Sequence, residues 1–357
     1  TYIRIMKKLK VLDLFSGCGG LSLGFKLAGF KIEGAIDHDK DSIKTFKKNF
    51  GEGKFFVKDI NKINEEFIKK NFKNIDVIIG GPPCQGFSNA NRWQKNYSDP
   101  RNLLFLKFIE FVKLIKPKMV LIENVSGILS RSKGEIIDNI RNVLNKNGYK
   151  VDYKLLNASE FGVPQIRKRV FIVGNKLSAI NFFDNLKKQK KVTVKDAISE
   201  LYALEKKIEK KLNGKLENDY IKYLRKKDSI VLNHEIVYPA KSTMEKIKHV
   251  KQGENWQSIP IKLFKNNRNN RHSSAFKRLN ENDFSVTIDT GNAHSNYFHP
   301  IYHRIPTPRE AARLQSFKDN FEFLGTRTSQ YRQIGNAVPP LLSKEIAKNF
   351  KKVILKK

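Results

Sequence analysis

Cys84, one of only two cysteines in the chain, has surroundings suited to a nucleophile. It lies in Ile78 to Ser88 (IIGGPPCQGFS), where an apolar run reads as a buried strand that turns through Gly-Gly-Pro-Pro into a polar loop. Prolines narrow the backbone's choices, so such a corner would deliver the thiol to a defined place, and a stabilised thiolate there is reactive. An isolated cysteine is more often a small buried apolar residue. That second description suits Cys18, which sits within a glycine turn and has no base near it in sequence. Glu123, in Glu123 to Val125 (ENV), follows the apolar run Met119 to Ile122. A carboxylic acid at a strand end can donate a proton into a pocket, or simply face solvent in a strand–helix loop. Gln165 to Val170 (QIRKRV) puts Arg167 and Arg169 on the same side of an extended segment. From one face they could bind phosphate or polarise a carbonyl oxygen; a plain basic edge strand has the same pattern.

A second group of residues suits a ligand. Asp13 to Leu21 (DLFSGCGGL) follows an apolar strand and opens a helix. Glycines let backbone approach a ligand closely, and a helix N-terminus favours its polar or anionic groups. Asp37, at the next strand end, could hold ribose hydroxyls, and Asp59 could accept from an adenine amino group. Together they suit a nucleoside at the carboxyl ends of a parallel sheet. The turn lacks the Gly-Lys-Ser/Thr of phosphate-binding loops and the spaced G-x-G-x-x-G of hydride-transfer enzymes, which argues against both classes. No metal site is expected.

These residues need elements to hold them. Lys10 to Phe15, Lys31 to Ile36, Asp76 to Ile79, Met119 to Ile122 and Val170 to Val173 read as short strands. Helical patterns such as Leu21 to Ala28, Leu103 to Ile115 and Glu135 to Leu144 alternate with them. That alternation predicts an α/β fold, a doubly wound and mostly parallel sheet with helices on both faces. After Gly174 the pattern changes to a lysine-rich stretch over 184–227 and an irregular polar and aromatic one over 228–305, and Tyr331 to Phe350 is again helical with a Gly-Asn break. We expect a catalytic and ligand-binding domain at 1–178, a smaller irregular domain at 179–326, and a C-terminal segment at 327–357 that returns to the first.

The 357 residues carry 69 Lys+Arg against 35 Asp+Glu, a net charge of +34. That excess points to a polyanion, most simply nucleic acid, although a membrane surface or a lysine-rich compositional bias would give the same number. With 39% hydrophobic residues the chain can build a packed core. No apolar run is long enough to cross a membrane, and the opening TYIRIMKKLK shows no secretory signal. Met6 is a candidate natural start. Two cysteines argue against a disulfide scaffold and fit a reducing cytosol.

The ordered set of motifs resembles the DNA cytosine-5 methyltransferase family of the bacterial and archaeal restriction-modification type. Asp13 to Phe25 is similar to its cofactor loop and Gly80 to Ser88 to its Pro-Cys catalytic loop. Glu123 to Val125, Gln165 to Arg169, Arg309 to Phe317 (REAARLQSF) and Gly335 to Pro340 (GNAVPP) follow in the family's order. Only about 178–305 is weakly matched. Where relatives commonly carry proline after Ser-Phe, this chain has Lys318.

The resemblance implies the fold of S-adenosylmethionine-dependent methyltransferases with a small target-recognition domain. It implies S-adenosyl-L-methionine as cofactor and S-adenosyl-L-homocysteine as product. Phe15 would pack on the adenine, with Gly17, Cys18, Gly19 and Gly20 forming the turn. Asp37 would hold the ribose, His38 would lie beside the adenine, and Asp59 and Ile60 would meet the base edge. Pro83, Leu104, Asn336, Ala337 and Val338 complete the implied pocket. Cys84, Glu123, Arg167 and Arg169 would be catalytic; Gln85, Ser88, Arg101 and Thr287 would meet DNA. Polar and basic residues of the recognition stretch, such as Asn233, His234, Arg268, Arg271 and Arg278, could read base edges. The partners implied are duplex DNA and, functionally, a cognate restriction endonuclease, with no membrane. The protein would be a cytoplasmic, nucleoid-associated monomer. A tRNA-methylating branch typically carries a further Cys-Phe-Thr motif, and no third cysteine exists here. An amino-methylating enzyme would need Asp/Asn-Pro-Pro-aromatic where this chain has Gly81 to Cys84 (GPPC). A catalytically silent DNA-binding homologue remains the non-enzymatic alternative.

Overall fold

The computed structural model describes residues 8–83, 100–130, 135–177, 181–207, 211–212, 214–264, 275–290 and 297–356, and side chains at 100–103 are not among what is described. The chain forms two compact units. One comprises Thr1–Asn157, Lys168–Lys188 and Pro340–Lys357, and the other Ala158–Arg167 and Gln189–Pro339.

The first unit is built on a seven-stranded sheet. Its strands are β1 (Lys10–Leu14), β2 (Lys31–Asp37), β3 (Lys54–Val57), β4 (Val77–Gly80), β5 (Met119–Val125), β6 (Lys150–Asn157) and β7 (Lys168–Asn175). The order is β3-β2-β1-β4-β5-β7-β6, with β7 antiparallel to both its neighbours and the other pairings parallel. The mostly parallel α/β sheet expected from the alternation is therefore present. Its central strands are the apolar runs: all four residues of β4 are buried, as are the first four of β5. Helices α1 (Gly20–Leu27), α2 (Lys40–Phe50), α3 (Glu65–Asn71), α4 (Pro100–Ile115) and α5 (Glu135–Lys146) connect the strands. Strand order reverses between β1 and β4, the switch point beside which open α/β sheets bind ligands.

Register places the site residues. Leu14 pairs with Ile36 on one side and Gly80 on the other, and Gly80 pairs with Ile122. Asp37, Phe15, Gly81 and Glu123 are each one residue further on, so they form a row across four adjacent strands. Gly80 permits this spacing, because a Cβ there would lie 2.3 Å from the Leu14 carbonyl oxygen.

The second unit has little sheet. Lys211–Leu212 pairs with Ser229–Ile230, Lys277–Arg278 with Tyr297–Phe298, and a single bridge joins Gln165 to Ser285. Its helices are α6 (Val194–Ile198), α7 (Asp219–Leu224), α8 (Lys241–Lys248), α9 (Pro308–Leu314) and α10 (Arg327–Asn336). All seven residues of α9 are buried, charged ones included. Arg304 pairs with Glu310 at 2.8 Å and with Glu205 at 2.6 Å, and Arg313 pairs with Asp319 and with Glu200. A unit with so few strands satisfies its main chain and charges through such side-chain networks. The chain ends in α11 (Pro340–Leu355), in the first unit, where Ser343 donates its hydroxyl to the Leu21 carbonyl of α1 at 2.6 Å.

Candidate active site

The glycine turn begins where β1 ends. Phe15 and Gly17 both adopt left-handed backbone, at φ 60° and 52°, which folds the chain sharply from strand to helix. Asp37 ties this turn to β2. One carboxylate oxygen accepts the Gly17 N–H and the other the Asp39 N–H, each at 2.8 Å. A carboxylate has further lone pairs, so these two bonds leave it able to accept hydroxyl protons. A Cβ on Gly17 would meet nothing within 4 Å, so the turn leaves open space there. Gly19 is glycine for another reason: a Cβ would strike the Phe46 and Phe50 rings.

Phe15, Ile60 and Leu104 belong to one apolar cluster, in which Ile60 is buried and the other two are partly buried. A partly buried aromatic ring with aliphatic neighbours, one residue past the strand that pairs with the Asp37 strand, suits an adenosine, and on that ground these residues fit S-adenosylmethionine. His38 is 84% exposed in its side chain, with Nδ1 3.5 Å from Asp37 Oδ1. Asp59 caps a 3₁₀ turn at Ile60–Lys62, accepting from the Asn61 N–H at 3.0 Å. Cys18 is fully buried, and burial pushes its thiol up to about 12, so it carries no thiolate near neutrality. Asp13, buried near the end of β1, receives the Ser22 hydroxyl at 2.6 Å; burial raises its carboxyl to about 8 against that hydrogen bond.

The other half of the row holds a carboxylate and a guanidinium in contact. Arg169 Nε stands 3.1 Å from Glu123 Oε1, and the two side chains are 17% and 15% exposed. They come from adjacent antiparallel strands, in which Val125 pairs with Arg169 and Glu123 with Phe171. Arg169 also donates to the Lys168 carbonyl at 2.9 Å. Next to them Gly81 faces Glu123, and the Asn124 amide donates to the Pro82 carbonyl at 3.0 Å. Pro82 is buried and Pro83 exposed. Cys84, Gln85 and Ser88 lie outside the described residues, and Arg101 is within α4 but its side chain is not described.

Arg167 corrects the reading that paired it with Arg169 on one face. Strand β7 begins only at Lys168, and Arg167 belongs to the second unit. It is 2% exposed and donates to the Ile288 carbonyl at 2.9 Å and the Gly335 carbonyl at 2.8 Å. Its guanidinium is therefore engaged by main chain and does not face a phosphate. Gln165 works nearby, donating to Leu314 and Gln315 and accepting the Ile288 N–H at 2.8 Å. Thr287 donates its hydroxyl to the Ile166 carbonyl at 2.7 Å. Asn336 ends α10, followed by buried Ala337 and Val338, all in the second unit.

Three of the suggested base-reading residues also have structural work. Arg278 is 4% exposed and its guanidinium gathers the carbonyls of Ile247, His299, Pro300 and Ile301. Buried His234 meets the Thr307 hydroxyl at 2.8 Å, and Asn233 bridges the N–H and carbonyl of Phe323. Arg268 and Arg271 lie outside the described residues. Among the described residues no helix is long and apolar enough to cross a membrane, and no cluster of possible metal ligands occurs.

A sheet of this order, with a glycine turn at its switch point, is the fold of the S-adenosylmethionine-dependent DNA methyltransferases. A crystal structure of a candidate DNA modification methyltransferase encoded within a prophage of E. coli superposes with a TM-score of 0.78 at 31% identity, covering 97% of this chain and 99% of that one. The family model for C-5 cytosine-specific DNA methylases matches residues 9–352. Type II methyltransferase M.DdeI of Desulfomicrobium norvegicum is 36% identical, over 96% of this chain and 88% of its own length. Type II methyltransferase M1.HphI of Haemophilus parahaemolyticus is also 36% identical, over 97% and 87%. The chain thus belongs to the C-5 cytosine-specific DNA methylase family, and its enzyme class is DNA (cytosine-5-)-methyltransferase.

Proposed function

We propose that the protein methylates C5 of a flipped-out cytosine in a specific duplex DNA site, as the modification enzyme of a restriction-modification system. The observation that carries this reading is the Glu123–Arg169 pair, held beside the Gly-Pro-Pro corner that leads to Cys84. In this reading the first unit carries the glycine turn and the Glu123–Arg169 pair that does the chemistry, and the second recognises the target.

C5 of cytosine is a poor nucleophile until something adds at C6. The Cys84 thiolate forms the S–C6 bond, and the displaced ring electrons make C5 enamine-like. Glu123 hydrogen-bonds or protonates N3 and contacts the exocyclic amine, drawing that density through the ring. Arg169 orients the Glu123 carboxylate and stabilises charge developing at O2. Bound S-adenosylmethionine supplies an electrophilic methyl on a sulfonium sulfur, and the family resemblance assigns its pocket to Phe15, Asp37, Asp59, Ile60, Leu104 and the segment Asn336 to Val338. Loss of the C5 proton and expulsion of Cys84 restore the aromatic ring. None of these approaches is open inside a stacked duplex, so the base must leave the helix, at a cost of a few kcal/mol. Gln85, Ser88 and Arg101 are proposed to meet the DNA, in a cytoplasmic, nucleoid-associated monomer.

A duplex carrying 5-fluorocytosine in its target site tests the adduct, because fluorine cannot leave as the proton does. The wild type should form a denaturation-resistant complex and Cys84→Ser should not; an adduct with Cys84→Ser would overturn the assignment. Bisulfite sequencing of host DNA would give the site, and methyl incorporation into tRNA but not duplex would overturn the substrate.

A further inference from the structure

Asn124 and Gly81 act on the corner itself. Positions 82 and 83 are both proline, so neither offers an N–H, and only their carbonyls can be gripped. Asn124 grips one of them. It is 8% exposed, donates its amide to the Pro82 carbonyl at 3.0 Å, and accepts the Val125 N–H on Oδ1 at 2.9 Å. One partner is a carbonyl and the other an N–H, so the orientation of the amide is determined by the network. The side chain therefore ties the end of β5 to the residue two before Cys84. Gly81 has the complementary part. A Cβ there would lie 3.0 Å from Glu123 Oε2, and Glu123 is held from its other oxygen by Arg169 at 3.1 Å, so the carboxylate has little room to retreat.

We propose that Asn124 and Gly81 are positioning residues for the methyl transfer: Asn124 sets where the chain enters position 84, and Gly81 leaves the space in which the Glu123 carboxylate stands. Between them they fix the Pro82 carbonyl and the Glu123 carboxylate relative to β5. The inference rests on the reading of Cys84 and Glu123 above.

The test uses the full chain with tritiated S-adenosylmethionine and genomic DNA from a strain lacking cytosine methylation. Wild-type protein that makes no 5-methylcytosine would defeat the reading of function itself, whatever the variants do. Given an active wild type, Asn124→Ala should lower kcat about 100-fold, the scale of an ångström's misplacement, and Gly81→Ala, which displaces the carboxylate by only a fraction of that, about 10-fold. Cofactor Kd and KM for DNA should stay within about threefold of wild type. Asn124→Asp supplies a readout that mere loosening would not move. Its carboxylate repels the Pro82 carbonyl, but once protonated it donates again, so its kcat relative to wild type should climb as pH falls. Burial raises such a carboxyl group's affinity for its proton, which brings the recovery into a workable range. Should Asn124→Ala fail to fold, Gly81→Ala decides, since it removes no hydrogen bond. A kcat within about threefold of wild type in either folded variant, a rate loss matched by equal loss of cofactor affinity, or a flat pH ratio for Asn124→Asp would overturn the proposal.

Discussion

Replacing Arg169 by methionine keeps an apolar stem and removes the charge beside Glu123. The pair is close, with 3.1 Å between Nε and Oε1, and both side chains are largely shielded at 17% and 15% exposure. Charge centres about 4 Å apart attract by about 4 kcal/mol at an effective dielectric of about 20. Residual exposure and desolvation reduce this, leaving a coupling of about 1–3 kcal/mol. If Arg169 also meets charge developing at O2, its loss removes a donor of the oxyanion-hole kind, worth about 2.7–4 kcal/mol or about 10²–10³ in kcat. The assay is single-turnover methyl transfer to duplex DNA by wild type, Arg169→Met, Glu123→Gln and the double variant. Arg169→Met should lose about 100- to 1,000-fold in rate, and Arg169→Lys should recover little, because a flexible ammonium does not reproduce the Nε contact. Residues acting as a unit are non-additive, so the double variant should lose far less than the product of the single losses. An Arg169→Met rate within about fivefold of wild type, or penalties that simply multiply, would refute the reasoning.

Gly24→Ala should loosen the seam between α1 and α11. The new Cβ would lie 2.3 Å from Ser343 Cβ and 2.5 Å from the Lys344 backbone nitrogen. Overpacking of about 1–3 kcal/mol and loss of the Ser343–Leu21 bond, about 1 kcal/mol, outweigh alanine's helical advantage of about 1 kcal/mol. A melting temperature that did not fall would count against the contact. Acid should destabilise the second unit through His299. Its Nδ1 accepts the Ile301 and Tyr302 N–H groups, and burial lowers its pKa from 6.5 to about 4. The unfolded chain therefore takes up that proton first, and stability present above about pH 6.5 is lost towards pH 4, by at most about 3 kcal/mol. Urea titrations of wild type and His299→Asn, whose amide oxygen can accept the same N–H groups, should differ in slope over that window; parallel curves would refute the assignment. Finally, the +34 charge predicts that DNA affinity falls steeply between about 50 and 200 mM salt, by about 10³-fold or more, and a near-constant Kd would remove phosphate contacts as the role of the lysines.

Legibility in the sequence followed burial. The five strands expected from apolar runs are the central ones and the antiparallel β7, where side chains on both faces are shielded. The edge strands β3 and β6 escaped notice because half or more of their residues face water: Lys54–Val57 is exposed at both ends, and Lys150–Asn157 has only Leu156 fully buried. Pairing direction was also hidden. Val170 to Val173 looks like any buried strand, and only the packed sheet shows it running against its neighbours. In the second unit, polar residues that could have read DNA serve the protein's own carbonyls instead, as Arg278 does, because a unit with few ladders must satisfy its main chain some other way.

Residue type and order by themselves determined the family, the glycine turn after β1, the carboxylic acid at the end of β5 and the Gly-Pro-Pro corner after β4, since a short segment carries each of these motifs whole. Which arginine joins the carboxylate was beyond that reach. Arg167 and Arg169 stand two apart in a run that looks uniformly extended, yet the strand begins between them. One guanidinium closes on the main-chain carbonyls of Ile288 and Gly335 and the other on Glu123. A guanidinium binds either kind of oxygen, so its role is set by which one folding brings within about 3 Å, and partners 121 and 168 residues away are chosen only by the tertiary structure.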